Sequence, residues 1–155
     1  SLSDLAISSS FDWSVKVWHV KQYQQPILSL DAYEDYVYDA RWHPKHPAVF
    51  AAVDGEGHVD LWNLNKDMES PVVRTEHPNQ RRLALNRCSW SLDGKRLSTG
   101  DSEGMVSVYS VDRSIVEPRN DQYQQFQEHV KQLQPVQSKG KDTLHGSSFN
   151  IGARH

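Results

Sequence analysis

The chain has 155 residues, 24% of them charged and 37% hydrophobic, with a formal net charge of −3 at pH 7. That balance gives no electrostatic ground for nucleic acid or an acidic membrane surface as the main partner. A single cysteine, Cys88, excludes an internal disulfide and fits a reducing compartment, no run approaches the ~18 apolar residues of a membrane span, and the first residues lack the basic-then-apolar layout of a signal peptide.

In chain order, Leu5 to Ser9 and Val15 to Val20 predict two strands joined by a turn that holds Ser10 and Asp12, with Trp18 on the returning strand. An outer strand follows at about Ile27 to Leu30, and Pro26 suits its start because proline cannot donate to a ladder. No inner strand precedes Leu5, so the first sheet is expected to begin without one.

From Tyr36 the segment YVYDARWHP alternates Val37, Asp39 and Arg41 with Tyr38, Ala40 and Trp42 until His43-Pro44 ends the strand. Trp42 then faces a neighbouring unit. Next, the apolar run Val49 to Val53 meets Asp54, Gly55, Glu56 and Gly57 and returns through Val59, Leu61 and Trp62, the pattern of a β-hairpin. Its glycines supply the positive φ of a short turn, and Asp54 and Glu56 are polar enough to bond the turn's own amides.

Pro71 to Thr75 predicts an outer strand and Glu76 to Arg82 a polar exposed loop, whose Arg81-Arg82 pair is solvated surface or, as the minority reading, a contact for an acidic partner. Asn86 to Ser91 repeats the inner strand, with Trp90 48 residues after Trp42, and Leu97 to Val111 repeats the hairpin. There the repeat stops. Pro118 to Asp121 predicts a turn and helix cap, and Tyr123, Phe126, Val130 and Leu133 form one stripe, so a short amphipathic helix is expected from about Asp121 to Gln134, packed on the sheets or on a partner. Ser, Gly, Lys and Gln dominate from Pro135 to His155, which predicts a disordered tail.

The hairpins are siblings. Trp18 and Trp62 are 44 residues apart, Trp62 and Tyr109 are 47 apart, and an acid stands six positions before each: Asp12, Glu56 and Glu103. Recurrence near ~40–45 residues is the signature of four-stranded propeller blades. The expected fold is all-β, a partial WD-repeat β-propeller of about two and a half to three blades (1–117), a C-terminal helix (118–134) and the tail (135–155). Since a closed ring needs ~4–8 blades, the chain reads as the C-terminal piece of a longer protein. Open blade faces and strand edges then predict poor solubility or oligomers in isolation.

The acid and aromatic columns have a structural reading: turn acid, loop histidine, strand serine or threonine and third-strand Trp form a buried hydrogen-bonded set. Ser10, Asp12 and Trp18 supply three of its four members. In the second blade Glu56 takes the acid's place and Tyr33 the histidine's, and in the third Tyr109 replaces the tryptophan, so packing of Trp42, Trp62 and Trp90 has to carry more. Catalytic signals are weak. His43 and His46 are each followed by proline or its turn, and no paired Cys/His framework suits zinc. A strand, not a helix, follows Gly55-Glu56-Gly57, which removes the phosphate-binding reading, and no strained elbow presents a serine. No catalytic residue, cofactor or metal is expected.

The segments SSFDWSVKVW (Ser9 to Trp18), DYVYDARWHPKHPAVFAAVDGEGHVDLWNLN (Asp35 to Asn65), ALNRCSW (Ala84 to Trp90) and GDSEGMVSVYSV (Gly100 to Val111) closely resemble the last blades of the cytoplasmic dynein intermediate chain family. The likeness runs through PRND and the helix after it, over roughly residues 8 to 133, and departs at Asn79 to Leu83 and from Pro135. The resemblance implies a non-catalytic subunit of a microtubule motor, cytoplasmic and cytoskeletal. Its propeller would dock on the helical tail of the dynein heavy chain, while light chains and dynactin would bind an N-terminal region that this chain lacks. On the narrow face, the loops entering the inner strands would offer Tyr33, Asp35, Tyr36, Asn86 and Arg87 to the heavy chain. The competing reading packs Tyr33 and Tyr36 between blades. The other function classes are a peptide-recognition propeller, such as a ubiquitin-ligase substrate receptor, and an enzyme.

Overall fold

The computed structural model describes residues 1–75 and 82–136. The loop up to Arg81 and all of the expected tail beyond Val136 lie outside them. Among the described residues ten strands form three antiparallel sheets, and within each sheet a strand pairs with the next in sequence. Blade one holds β1 (Leu5–Ser9), β2 (Val15–His19) and β3 (Leu28–Leu30), blade two holds β4 (Val37–Trp42), β5 (Val49–Asp54), β6 (Val59–Asn63) and β7 (Val73–Thr75), and blade three holds β8 (Leu85–Trp90), β9 (Arg96–Asp101) and β10 (Val106–Ser110). This is the arrangement of successive sectors of a propeller. Among the described residues blade one has no counterpart of the inner strands of blades two and three.

Burial follows position in the stack. Every residue of β5 and β6 is buried, because blade two is covered on both faces, and their sequence VFAAVD and VDLWN accordingly loses the period-two pattern. In β10, which has no neighbour on one face, exposed and half-buried residues alternate. Val15 and Val17 of β2, and Val59 and Leu61 of β6, are buried beneath the next blade; Val106 and Val108 in the same register of β10 are 70% and 64% exposed. Both complete inner strands shift register at the same point, between Val37 and Asp39 and between Leu85 and Arg87, so that Tyr38 and Asn86 are bulge residues.

Two apolar clusters glue the blades. Val15, Val17, Tyr33, Val37, Phe50 and Trp62 belong to the first, and Ala51, Val53, Val59, Leu85, Cys88 and Leu97 to the second. Helix α2 (Gln122–Gln132) closes the first from below. Its Phe126 is buried in that cluster with Val130 and Leu133 packed beside it, and the Phe126 ring lies 6.5 Å from that of Trp42. Tyr123, the first residue of the predicted stripe, stays exposed. Asp121 occupies the N-cap but makes no side-chain cap bond, contrary to the expectation from PRND. A one-turn helix, α1 (Arg113–Val116), was not foreseen; Asp112 caps it by accepting from Ser114 N at 2.7 Å, and Val116 is buried. Beyond α2 the chain returns to blade one, where Val136 N donates to Pro26 O at 2.8 Å. Among the described residues no helix is long and apolar enough to cross a membrane.

Because Phe126 is the wedge between α2 and the blades, Phe126→Ala should cost about 3–5 kcal/mol. Chemical denaturation should show the loss, and hydrogen exchange should show α2 unprotected while the strands remain slow.

Candidate functional site

The hairpin turns are built by short side chains that bond their own backbone. Ser10, Asp54 and Asp101, each eight positions before the column aromatic, accept from the amides two residues on: Asp12 N at 3.1 Å, Glu56 N at 3.0 Å and Glu103 N at 2.9 Å. Asp54 also accepts from His58 N at 2.9 Å and holds the His58 ring at 2.8 Å, and Asp101 accepts from Met105 N at 2.8 Å. In blades two and three the turn acid therefore sits two residues earlier than Glu56 and Glu103, whereas in blade one Asp12 itself accepts from Ser14 N at 3.1 Å. Asp12 binds Ser14 and Lys16, and the Lys16 ammonium leads in depressing its carboxyl to about 2. Glu56 faces Arg82 at 3.6 Å, and Glu103 is exposed.

The aromatic column is satisfied differently in each blade. Trp18 Nε1 donates to Ser8 Oγ at 2.8 Å, so Ser10, Asp12 and Trp18 do not form one set. Trp62 Nε1 donates to Tyr33 Oη at 2.9 Å, with Tyr33 standing where a histidine was expected. Around that bond, buried Asp60 takes two bonds from the more exposed Arg74 (2.8 and 2.7 Å), and the Arg74 guanidinium sits 5.8 Å from the Tyr33 ring centre. Burial, and then the Asp60 carboxylate, hold the Tyr33 phenol well above its ordinary value. Burial likewise pushes Asp60 up, while Arg74 pulls it back and is itself raised by their hydrogen bond, which keeps the guanidinium charged. In blade three Tyr109 and Thr99 stand in the register of Trp18 and Ser8, and both buried hydroxyls lack a partner among the described residues.

Beside the second apolar cluster, the seam between blades two and three carries a polar row along one side of β4. Asp39 Oδ2 accepts from Cys88 N at 3.1 Å, Arg41 O accepts from Trp90 Nε1 at 3.0 Å, and His43 Nε2 bonds Gly94 O at 3.0 Å. Gly94 has φ +74°, and a Cβ there would strike the His43 ring. His43 Nδ1 accepts from Lys45 N and His46 N, while His46 Nδ1 accepts from Ala48 N and its Nε2 meets Gln122 Oε1 of α2 at 2.7 Å. Both rings are thus neutral Nε2–H tautomers with each nitrogen engaged, and burial lowers both pKa values. Trp42 turns the other way, onto Phe50 at 5.6 Å. Among the described residues no group of three or more His, Cys, Asp or Glu is disposed to hold a metal ion. Burial, chiefly, pushes the Cys88 thiol up to about 12, so the thiolate a nucleophile needs is not present at neutral pH.

Of the residues expected on the partner face, Tyr33 is buried at 5% exposure and committed to Trp62, which leaves it nothing to offer a partner. Asp35 accepts from Tyr36 N at 2.7 Å and lies against Gly55, whose missing Cβ makes room for it. Tyr36 is exposed and joins a cluster that sequence reasoning missed: its ring is 4.7 Å from Phe11, and Phe11 is 5.7 Å from Tyr38. Asn86 and Arg87 are exposed on β8, and Arg87 holds the register place of Asp39, on the uncovered side of blade three. Trp13 was missed as well. It has φ +67°, against +89° for Gly57 and +87° for Gly104, which sit five positions before the column aromatic just as Trp13 does. A tryptophan held there costs about 1–3 kcal/mol.

No family model matches the chain. Over 137 residues, 86% of its length, it is 41% identical to the cytoplasmic dynein 1 intermediate chain of Drosophila melanogaster, and it spans only 20% of that relative. The WD40 domain of coronin from Toxoplasma gondii aligns with 69% of the chain and over 28% of its own, with a TM-score of 0.60 at 19% identity, a likeness of fold.

Two outcomes follow from this chemistry. Tyr33→Phe leaves the buried Trp62 indole N–H unpaired and should lower stability by about 1–3 kcal/mol in urea titration. The depressed histidines contribute stability that is fully present above their unfolded value near ~6.5 and lost as pH falls below it, since the unfolded chain takes up protons that the folded rings refuse. The melting temperature should therefore fall from pH 7 towards pH 5, and His46→Gln should flatten that fall.

Proposed function

With kinship to the cytoplasmic dynein intermediate chains as the premise, we propose that this chain is part of a non-catalytic subunit of a cytoplasmic dynein complex, its blades forming one sector of a propeller that docks on the heavy chain. The carrying observation is 41% identity over 137 residues, 86% of the chain. The site chemistry supports the same reading. The polar groups of the seam are spent on each other, Cys88 is an inert buried thiol, and what the surface offers is side chains for a partner. The subunit works in the cytoplasm on microtubules, where the heavy chain hydrolyses ATP and the propeller supplies attachment.

Heavy-chain contact falls on the loops that enter the inner strands, with Tyr36 exposed in one and Arg87 exposed on β8. In the complete subunit, Tyr36→Ala combined with Arg87→Glu should weaken association with the heavy-chain tail by roughly tenfold or more without changing the melting temperature, as read by co-sedimentation. Unaltered binding would remove these two residues from the interface. Purification of the complete subunit without heavy chain, but with ubiquitin-ligase components, would replace the dynein reading altogether.

A further inference from the structure

Among the described residues only blade two has four strands and a neighbouring blade on each face, so exposure on its outer rim does not stem from a missing strand or blade. The loop between β6 and β7 lies on that rim and sets Ser70 directly before Pro71. Of the seven prolines in the chain, Pro71 is the one that follows a hydroxyl residue. Proline biases the residue before it to extended backbone and has no N–H of its own. Ser70 thus favours the conformation that a kinase cleft holds, and a cleft with no acceptor for the next amide selects proline there.

The turn ahead of β7 presents the side chain. Asp67 Oδ1 accepts from Glu69 N at 2.7 Å and from Ser70 N at 3.1 Å, while the Ser70 side chain is exposed and its hydroxyl has no partner among the described residues. Gln25 is its counterpart in blade one, since Ile27 N bonds Val17 O just as Val72 N bonds Leu61 O, both at 2.8 Å. There the later chain crosses, with Val136 N on Pro26 O at 2.8 Å, whereas no described residue bonds Pro71 O. Both outer strands therefore begin at a proline, and blade two adds an accessible hydroxyl.

We propose that Ser70 is a phosphorylation site for a proline-directed serine/threonine kinase, and that the phosphate loosens the loop's hold on α2. Ser70 Oγ attacks the γ-phosphorus of a nucleoside triphosphate, the bond to the β-phosphate oxygen breaks, the nucleoside diphosphate leaves, and the hydroxyl proton passes to the kinase's catalytic carboxylate. The new charge stands beside Asp67 and Glu69, and like-charge repulsion works against the turn in which Asp67 holds the Ser70 amide. That loop also grips α2: Asn65 Nδ2 donates to Gln122 O at 3.0 Å, and Met68 packs on the same apolar cluster as Val130 and Leu133. Neither step requires a dynein complex.

The test incubates the complete subunit with ATP and a purified mitogen-activated protein kinase, beside Ser70→Ala, Pro71→Ala and a peptide of residues 64–75, and maps phosphate by mass spectrometry. Phosphate should appear on Ser70 in the unaltered subunit and in the peptide, and should be lost from Ser70 after Pro71→Ala. Hydrogen exchange in α2 should then quicken while the strands stay slow, and Ser70→Ala treated in the same way should keep its original exchange. Phosphate on the peptide but not on the folded subunit would show that the blade hides Ser70 and overturn the proposal. A peptide left untouched, or phosphate retained at Ser70 after Pro71→Ala, would overturn it equally. Unchanged α2 exchange in the phosphorylated subunit would overturn the coupling to α2.

Discussion

Strand β4 has to satisfy two neighbours at once, and its period of two lets it do so. Asp39 and Arg41, followed by His43 just past the strand, reach blade three through Cys88, Trp90 and Gly94, while Ala40 and Trp42 pack into the cluster that α2 closes. The polar side fixes register and spacing, since each bond has one partner at one height; the apolar side supplies the area removed from water. The Asp39–Arg41 ion pair at 3.1 Å holds that carboxylate while it accepts from Cys88 N. Neither blade could slide on the other without leaving a buried acceptor unpaired, and this is the sense in which the seam defines the angle between sectors.

Much of this was legible in the sequence. β-branched and aromatic residues at period two gave the strands to within a residue or two, and the tryptophan columns gave the blades, because both depend on patterns that recur. The stripe Phe126, Val130 and Leu133 gave α2 for the same reason. Asp54 was read from its own turn as a residue that bonds the turn amides, but the acid column fell two positions late in blades two and three because Glu56 and Glu103 match Asp12 in charge, whereas the turn needs a side chain short enough to reach the amide two residues on; Asp12, Asp54 and Asp101 have that reach. The pair Asp60 and Arg74 was invisible to repeat reasoning, since the same register in blade one holds Lys16 opposite Ser29. Helix α1, a single turn with one buried residue, had only Asp112 to announce it.

The exposed aromatics follow a different logic from the seam. Alignment of the hairpins sets Trp13 against Gly57 and Gly104, and only the backbone angle reveals that the substitution is costly. Side chains that stabilise the blades agree with local preference nearly everywhere, as Gly94 does beneath His43.

The seam also bears on how the protein is made. Asp39, Arg41 and His43 find their partners 49 to 51 residues later in the chain. A ribosome adding roughly 5–20 residues per second needs several seconds to deliver them. During that pause a nascent blade is finished on its early side and unfinished on the side awaiting its successor, so the ring grows by accretion from the first sector translated, and a chaperone that shields the newest face has a different client surface with every blade.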